Sequence, residues 1–280
     1  DLFQRMADGE IKACWIICTN PVATVPNRKI VIEGLRAAEL VIAQDAFLDT
    51  ETNRYADVLL PGALWAEAEG VMINSERNLT LMQAAVPPPG EALADWDIIA
   101  RVARAMGFAE GFNYGSAEEV FEEIKQTHNP KTGYDLRGIG YARLRQAPVQ
   151  WPCASADQPD RNPIRYRNDG RSQTLRILVD GSRPELVFAT PSGRAVFHPR
   201  PHVNPEEMPD EHFPFTLNTG RLQHQWHTLT KTGKIAALNK LNPGPFVEIH
   251  TTTLEGLRVR DIHTIIGADG TYTIQLICTD

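Results

Sequence analysis

Polar side chains follow two apolar, strand-like segments near the start of the chain. The first segment is followed by Thr19-Asn20-Pro21 and the second by Gln44-Asp45. If the strands are parallel, these side chains stand beyond their carboxyl ends, where open α/β sheets bind ligands. An amide and a carboxylate there could read a nucleotide base, because a carboxylate accepts from both the ring N–H and the exocyclic amine of guanine. The alternative is that Asn20 and Asp45 only form turns and caps, for which both residue types are favoured.

The densest polar segment spans residues 219–228 and follows another strand-like run. Gly220 would let the backbone approach a ligand closely, and Arg221 could clamp a phosphate. His224 and His227 are three residues apart and could be metal ligands. No carboxylate or cysteine completes a ligand set, so we predict no metal site there and interpret the histidines as hydrogen-bonded structural groups.

A third polar cluster joins Ala66–Gly70 to Asn74–Asn78. Glu67 and Glu69 could serve as general acids. The alternative is a solvated turn with an ion pair made by Arg77. The sequence contains none of the G-x-S-x-G, P-loop, H-E-x-x-H or G-x-G-x-x-G motifs, so we predict no catalytic residue in it.

Four cysteines stand far apart, at positions 14, 18, 153 and 278. Cys14 and Cys18 flank an apolar run and lack further ligands nearby, so we predict two small buried hydrophobic residues rather than a metal site. Scattered cysteines are typical of a reducing compartment.

The first half of the sequence predicts a strand–helix–strand unit that would position Asn20 and Asp45. Strands are predicted at Ile11–Thr19, 39–43 and 56–60, with a helix from Asn27 as N-cap to about Ala38. This order indicates a parallel sheet. Two more helices are predicted. Asp95 would cap the first, which ends near Met106, and a capping box at Ser116–Glu119 would open the second.

The second half of the sequence predicts a different architecture. Residues 130–172 carry eight Lys or Arg against four Asp, a net +4 in a chain of net −7. This stretch is either a solvated, ordered loop or a basic patch that steers an anion or docks an acidic electron donor. Short strands separated by Gly, Pro and Asn then indicate a barrel or sandwich. They are predicted at 175–179, 186–189, 195–198, 215–219, 247–250 and 272–277.

The predicted fold is therefore α/β: a Rossmann-like parallel-sheet domain over residues 1–128, a Pro- and Arg-rich connection over 129–174, and a mostly-β domain over 175–280. Net charge disfavours a nucleic-acid partner. No apolar run reaches the roughly 18 residues of a membrane helix.

Three markers in a fixed order resemble the molybdopterin oxidoreductase family. They are Ile17–Pro21, the group formed by 44–47, 51–52 and 55–61, and the run Thr219–Thr228. Three other segments resemble the assimilatory nitrate reductases of that family, namely Leu64–Asn78, Tyr134–Gly138 and Leu238–Phe246. The resemblance covers about residues 1–250.

The resemblance implies a bis(molybdopterin guanine dinucleotide) molybdenum cofactor, a [4Fe-4S] cluster and reduction of nitrate to nitrite. It implies a double-psi-barrel-like fold for the mostly-β domain. The electron donor would be ferredoxin, flavodoxin or an NADH-linked reductase subunit, and the location cytoplasmic. The residues expected to contact the cofactor are Asn20, Gln44, Asp45, Asp95, Thr219, Gly220, Arg221, Leu222, Gln223, His224, Gln225, Trp226, His227 and Thr228.

The sequence departs from the family pattern in two respects. The N-terminal cysteine cluster and the cysteine ligand to molybdenum are absent, and the match fades after His250, so we expect the chain to be a fragment. Two alternatives stay open within this resemblance. One is a formate dehydrogenase or periplasmic nitrate reductase with the same cofactor. The other is a cofactor-free scaffold like that of respiratory complex I, against which the polar run 219–228 argues.

Overall fold

The computed structural model describes residues 1–212, 214–216, 218–229, 232–241, 246–250, 263–266 and 271–275. For residue 228 and the last three of these ranges, it describes the backbone only. The chain divides into two compact units, Asp1–His202 and Val203–Asp280.

A three-stranded parallel sheet begins the first unit and confirms the predicted strand–helix–strand order. Its strands are β1 (Ala13–Ile17), β2 (Leu40–Asp45) and β3 (Val58–Pro61), in the order β1-β2-β3. Ile17 pairs with Gln44, and Asp45 pairs with Pro61. The carboxyl ends of all three strands therefore lie at one edge of the sheet.

Three helices of the same unit pack against this sheet: α1 (Leu2–Ala7), α2 (Pro21–Thr24) and α3 (Arg28–Ala37). Their core contains six buried apolar side chains, those of Met6, Ile16, Val22, Val31, Leu35 and Val41. A Cβ at Gly34 would lie 2.5 Å from the carbonyl oxygen of Phe3, so the close approach of α1 and α3 requires glycine there.

Helix α4 (Asp95–Ala105) confirms one prediction and corrects another. It ends before Gly107, whose φ of +93° suits glycine, as predicted. The prediction that Asp95 caps this helix is wrong. The N-cap is Ala94, which makes no side-chain capping bond, and the Asp95 carboxylate turns to the sheet edge instead.

A small antiparallel sheet lies on both sides of the largely exposed turn at residues 74–77, which belongs to the third polar cluster. It contains β4 (Gly70–Ile73), β5 (Asn78–Met82) and β6 (Val149–Gln150), in that order. Helices α5 (Ala117–Ile124) and α6 (Tyr141–Leu144) complete this part of the unit. Its core consists of Leu79, Phe121, Leu136, Ile139, Tyr141, Leu144, Val149 and Cys153.

The capping box predicted at the start of α5 is confirmed. The Glu119 amide donates to Ser116 Oγ over 3.2 Å, and the Glu119 carboxylate accepts from the Gly115 amide over 2.7 Å. Two amides at the helix start are thereby satisfied.

The strands predicted between residues 175 and 198 are wrong, as is the one at 215–219 over its described residues. The only pairing found in the described part of 175–198 is an isolated bridge between Arg167 and Leu186. Val179 and Phe197 are almost fully exposed, so neither forms the packed face that a strand needs.

The second unit contains a three-stranded antiparallel sheet and a short helix. The sheet is formed by β7 (Phe246–His250), β8 (His263–Ile266) and β9 (Thr271–Gln275), in the order β7-β9-β8. Strands β7 and β9 were predicted, whereas β8 was not. The helix is α7 (Ala236–Asn239). Across both units, none of the helices described is long and apolar enough to cross a membrane.

Candidate functional site

The edge where the parallel strands end brings together three side chains from three elements. Gln44 from the end of β2 donates from Nε2 to Asp95 Oδ1 over 2.6 Å. Cys18, directly after β1, donates from Sγ to the same oxygen over 3.4 Å. The Cys18 amide also donates to the Gln44 carbonyl over 2.9 Å. We call Cys18, Gln44 and Asp95 the strand-end triad.

Gln44 carries an unsatisfied polar atom in this triad. The residue is 1% exposed, and its Oε1 has no hydrogen-bond partner within the part of the chain described. An ionised carboxylate only accepts, so the amide nitrogen has to face Asp95, and Oε1 then has to point elsewhere. A buried acceptor without a donor is costly, and a bound group with an N–H would remove that cost.

Gly62 leaves space beside the triad. A Cβ at this position would lie 3.2 Å from Asp95 Oδ1 and 3.7 Å from the carbonyl carbon of Asp45. The Gly62 amide donates to the Asp45 carbonyl over 3.0 Å and so continues the pairing of β2 with β3. A side chain at position 62 would push against the carboxylate of Asp95.

Cys18 corrects the prediction of two buried cysteines. Cys18 is exposed, whereas Cys14 is half-buried. The φ of Cys18 is +53°, which is unusual for a residue with a Cβ. Partial burial of the thiol, followed by the charge and hydrogen bond of Asp95 and the charge of Asp45, raises the pKa of Cys18 to about 11. The thiol is therefore protonated at neutral pH and can act as a donor.

Asn20 is engaged within the protein. Its Oδ1 accepts from the Thr52 hydroxyl over 2.6 Å, and its Nδ2 donates to Glu51 over 2.7 Å. The hydrogen bond from Asn20 is the main cause that lowers the pKa of Glu51. Asn20 thus fixes the loop after β2 and has only one amide hydrogen and its backbone left for a ligand. Sequence reasoning did not assign this positioning role.

Asp45 has a free acceptor at the same edge. Its Oδ1 accepts from the Phe47 amide over 2.9 Å, and Oδ2 has no partner among the residues described. Asp95 is in a similar state, since both of its hydrogen bonds end on Oδ1. With Gln44 Oε1, the edge offers three unfilled acceptors, an arrangement that suits a ligand with several N–H donors.

The predicted run 219–228 lies in the second unit. Arg221 Nη2 lies within hydrogen-bond distance of His227 Nε2, at 2.7 Å. The guanidinium of Arg221 lies 6.0 Å from the Trp226 ring centroid. An exposed guanidinium held in this way can take a phosphate by paired hydrogen bonds. Within the described residues, no group of three or more His, Cys, Asp or Glu could hold a metal ion.

Gln225 anchors this run to α7. Its Nε2 donates to Asn239 Oδ1 over 3.2 Å, while its Oε1 is buried without a partner in the described part of the chain. His224 has a φ of +67°, a conformation that a local turn requires. Thr219, Gly220, Leu222 and Gln223 also belong to the described part of this run.

Two side chains of the third predicted cluster make contacts within the protein. Glu67 accepts from the Leu64 amide over 2.8 Å. The predicted ion pair of Arg77 is wrong for the described residues. Its guanidinium donates to the Trp151 carbonyl and, over 2.7 Å, to the Asn162 carbonyl, and so holds the hairpin to the segment after β6.

Several arginines of the basic stretch make contacts within the protein. Arg143 donates to the Gly138 carbonyl over 3.0 Å and forms an ion pair with Asp160. Arg137 donates two hydrogen bonds to Asp135. Burial would raise the pKa of the Asp135 carboxyl, but the hydrogen bonds from Arg137 outweigh burial, and the pKa is lowered. These contacts favour the interpretation of this stretch as an ordered loop, and docking of an electron donor stays a prediction.

Comparisons with known proteins identify the class to which this arrangement belongs. Residues 1–105 match the model of the molybdopterin oxidoreductase family. Over this region, which contains the strand-end triad, the chain belongs to that family, and the resemblance seen in the sequence is confirmed.

The relatives cover nearly the whole chain. A nitrate reductase of Synechocystis sp. is 37% identical over 249 residues, which are 88% of this chain and 32% of that protein. The F420-dependent formate dehydrogenase subunit alpha of Methanocaldococcus jannaschii is 34% identical over 96% of this chain and 37% of its own length. The assimilatory nitrate reductase catalytic subunit of Bacillus subtilis is 34% identical over 93% and 34%. The chain thus spans about a third of the length of these relatives.

Proposed function

We propose that this chain forms part of the cofactor-binding surface of a molybdenum enzyme that reduces nitrate to nitrite in nitrate assimilation. The observation that supports this proposal best is the strand-end triad, whose unfilled acceptors suit a donor-rich base. The similarity to nitrate reductases, one of them assimilatory, favours nitrate as substrate.

The chain's own residues would bind and orient the cofactor. Gln44, Asp45 and Asp95 would accept from guanine, while Asn20 would hold the adjacent loop. In the second unit, Arg221 and the hydroxyls of Thr219 and Thr228 would bind phosphates, and the antiparallel sheet of that unit would form part of a double-psi-barrel-like fold. When bound, the bis(molybdopterin guanine dinucleotide) molybdenum group supplies the oxygen-atom transfer, and the protein supplies placement and electrostatics.

The partners in this proposal are nitrate and a donor such as ferredoxin, flavodoxin or an NADH-linked reductase subunit, in the cytoplasm. The proposal also includes a [4Fe-4S] cluster, to which none of the four cysteines of this chain is assigned.

A second candidate is formate oxidation with the same cofactor. It is favoured by the similarity to a formate dehydrogenase subunit over 96% of the chain. The strand-end triad would serve both reactions equally, because it would hold the far end of the cofactor and not the substrate.

The test uses the holoenzyme that contains this chain, with Asp95→Asn compared against Asp97→Asn. Asp97 lies on the same helix but only pairs with Arg101 and Arg104. We expect Asp95→Asn alone to lower the molybdenum and guanine content, since a hydrogen bond to a charged group contributes about 1.5–3 kcal/mol. The unmodified holoenzyme should reduce nitrate with reduced viologen. Oxidation of formate instead would favour the second candidate, and full cofactor content in Asp95→Asn would contradict the assignment of the site.

A further inference from the structure

We propose that Cys18 is a positioning residue of the cofactor site, whose thiol orients Asp95 for the base that Asp95 reads. This inference rests on the proposed function and adds a residue that carries no role in it so far. The thiol acts on the ligand only through the carboxylate of Asp95.

The two donors to Asp95 use the same oxygen. Gln44 Nε2 and Cys18 Sγ both donate to Oδ1, and they approach from the ends of two neighbouring strands. A carboxylate held by two donors on one oxygen cannot rotate freely about its terminal bond. Oδ2 is the oxygen left over, and the described residues provide no donor for it. Its place is therefore set before any ligand arrives, which lowers the entropy cost of binding.

The backbone of Cys18 is held in a conformation that glycine adopts more readily. Its φ is +53°, and its amide is tied to the Gln44 carbonyl over 2.9 Å. A residue with a Cβ is disfavoured there for steric reasons. A side chain at a position suited to glycine needs a reason, and the contact of this thiol with Asp95 provides one.

Other roles for Cys18 fit the structure less well. It is exposed, so it does not fill the core. The described residues offer no cluster of three metal-ligating side chains around it. A thiol that faces two carboxylates, Asp95 and Asp45, stays protonated at neutral pH and makes a poor nucleophile.

Three variants of the holoenzyme separate a positioning role from a structural one. Cys18→Ala removes the donor, Cys18→Gly removes it and also relieves the backbone, and Cys18→Ser keeps a donor. Cys14→Ala is the matched control, because Cys14 lies on β1, the strand that Cys18 directly follows, and Asp95 contributes nothing to its pKa. The readout is the rate at which molybdenum and guanine are lost on dilution into cofactor-free buffer.

We expect roughly tenfold faster loss in Cys18→Ala and in Cys18→Gly, a rate near that of the unmodified enzyme in Cys18→Ser, and no change in Cys14→Ala. In the Asp95→Asn background, Cys18→Ala should add little, because the two residues act through one hydrogen bond. In cofactor-free protein, the infrared S–H stretching band assigned to Cys18 should shift to higher frequency with Asp95→Asn, as the hydrogen bond weakens.

If Cys18→Gly retains cofactor as well as the unmodified enzyme does, the thiol has no positioning role, while fast loss in Asp95→Asn would still support the proposed site. If neither Asp95→Asn nor Cys18→Ala changes the rate of loss, the proposed base-binding site fails, and this inference fails with it.

Discussion

Alkylation of Cys18 tests the electrostatics of the sheet edge directly. The thiolate is the reactive form, so the rate of alkylation follows the ionised fraction. A pKa moved from its ordinary value of 9.0 to about 11 reduces the thiolate at pH 8 from about 10% to about 0.1%, since each unit is a factor of ten. We therefore expect Cys18 in the cofactor-free protein to react with iodoacetamide roughly tenfold more slowly than an ordinary exposed cysteine, because a thiolate with a higher pKa is also more nucleophilic and partly offsets its smaller fraction.

The perturbation is Asp95→Asn. It removes the second-largest cause of the raised pKa, the charge of Asp95, and leaves the largest, the partial burial of the thiol. We expect alkylation of Cys18 to become several-fold faster at pH 8 but to stay slower than that of an ordinary thiol. Because the folded pKa is raised, the rate in the unmodified protein should still rise steeply from pH 10 to 11, where an ordinary thiol with a pKa of 9.0 is already about 90% ionised and has nearly levelled off.

Cys14 is the internal control, because burial alone raises its pKa and Asp95 contributes nothing to it. No Lys or Arg separates the two cysteines, so one tryptic peptide carries both, and fragment ions in the mass spectrum have to locate the label. Labelling of Cys18 at the rate of an ordinary exposed thiol, or a rate that Asp95→Asn leaves unchanged, would refute the reasoning. The dependence of the rate on pH and on Asp95→Asn, and not slow labelling alone, separates the raised pKa from the partial burial of the thiol.

Two further predictions concern space and stability. Gly62→Ala should weaken cofactor retention without lowering the stability of the fold, because the new Cβ would lie 3.2 Å from Asp95 Oδ1. In the control variant Gly111→Ala, the new Cβ meets nothing within 4 Å, so retention should be unchanged. Cofactor content and urea unfolding measure the two effects, and equal retention in both variants would contradict the prediction. Arg77→Ala should lower the free energy of unfolding by about 3 kcal/mol, since the guanidinium donates hydrogen bonds to three backbone carbonyls. Arg101→Ala removes only an exposed ion pair with Asp97 and should lower it by about 0.5 kcal/mol or less. Urea unfolding of both variants checks this, and a loss below 1 kcal/mol in Arg77→Ala would mean that water replaces the arginine at those carbonyls.

The parallel sheet could be predicted because local and long-range signals agree there. Strand β1 and the first four residues of β2 are apolar runs, and α3, the longer of the two helices between them, is bounded by Asn27 and Ala38. The hairpin β4–β5 was missed, although its two strands are rich in apolar residues. Its connecting residues 74–77 lack an Asn-Gly or Asp-Gly pair, the strongest short-range hairpin signal. Alternation of Leu79 and Leu81 with polar Thr80 was the signal that could have identified β5.

The strands predicted at 175–198 fail for a different reason. Short, mostly apolar runs such as Leu175–Val179 indicate a strand only if a partner strand and a packed face exist. Neither can be inferred from one sequence, and here the apolar side chains of Val179 and Phe197 lie in solvent. The contact between Cys18 and Asp95 is equally hidden, because 77 residues separate them and only the tertiary fold brings them together.

Asp95 shows how a capping residue can be distinguished from a ligand-binding one. Asp is among the best N-caps, and Ala94 in that position forgoes about 1 kcal/mol of helix stability. Asp95 is only one residue away from the N-cap position, yet its carboxylate accepts hydrogen bonds from Cys18 and Gln44 instead. The helix therefore gives up a local interaction that its own sequence could provide. In the proposed function the Asp95 carboxylate serves the cofactor as well as the fold, and the unfilled acceptor of the buried Gln44 beside it supports that proposal.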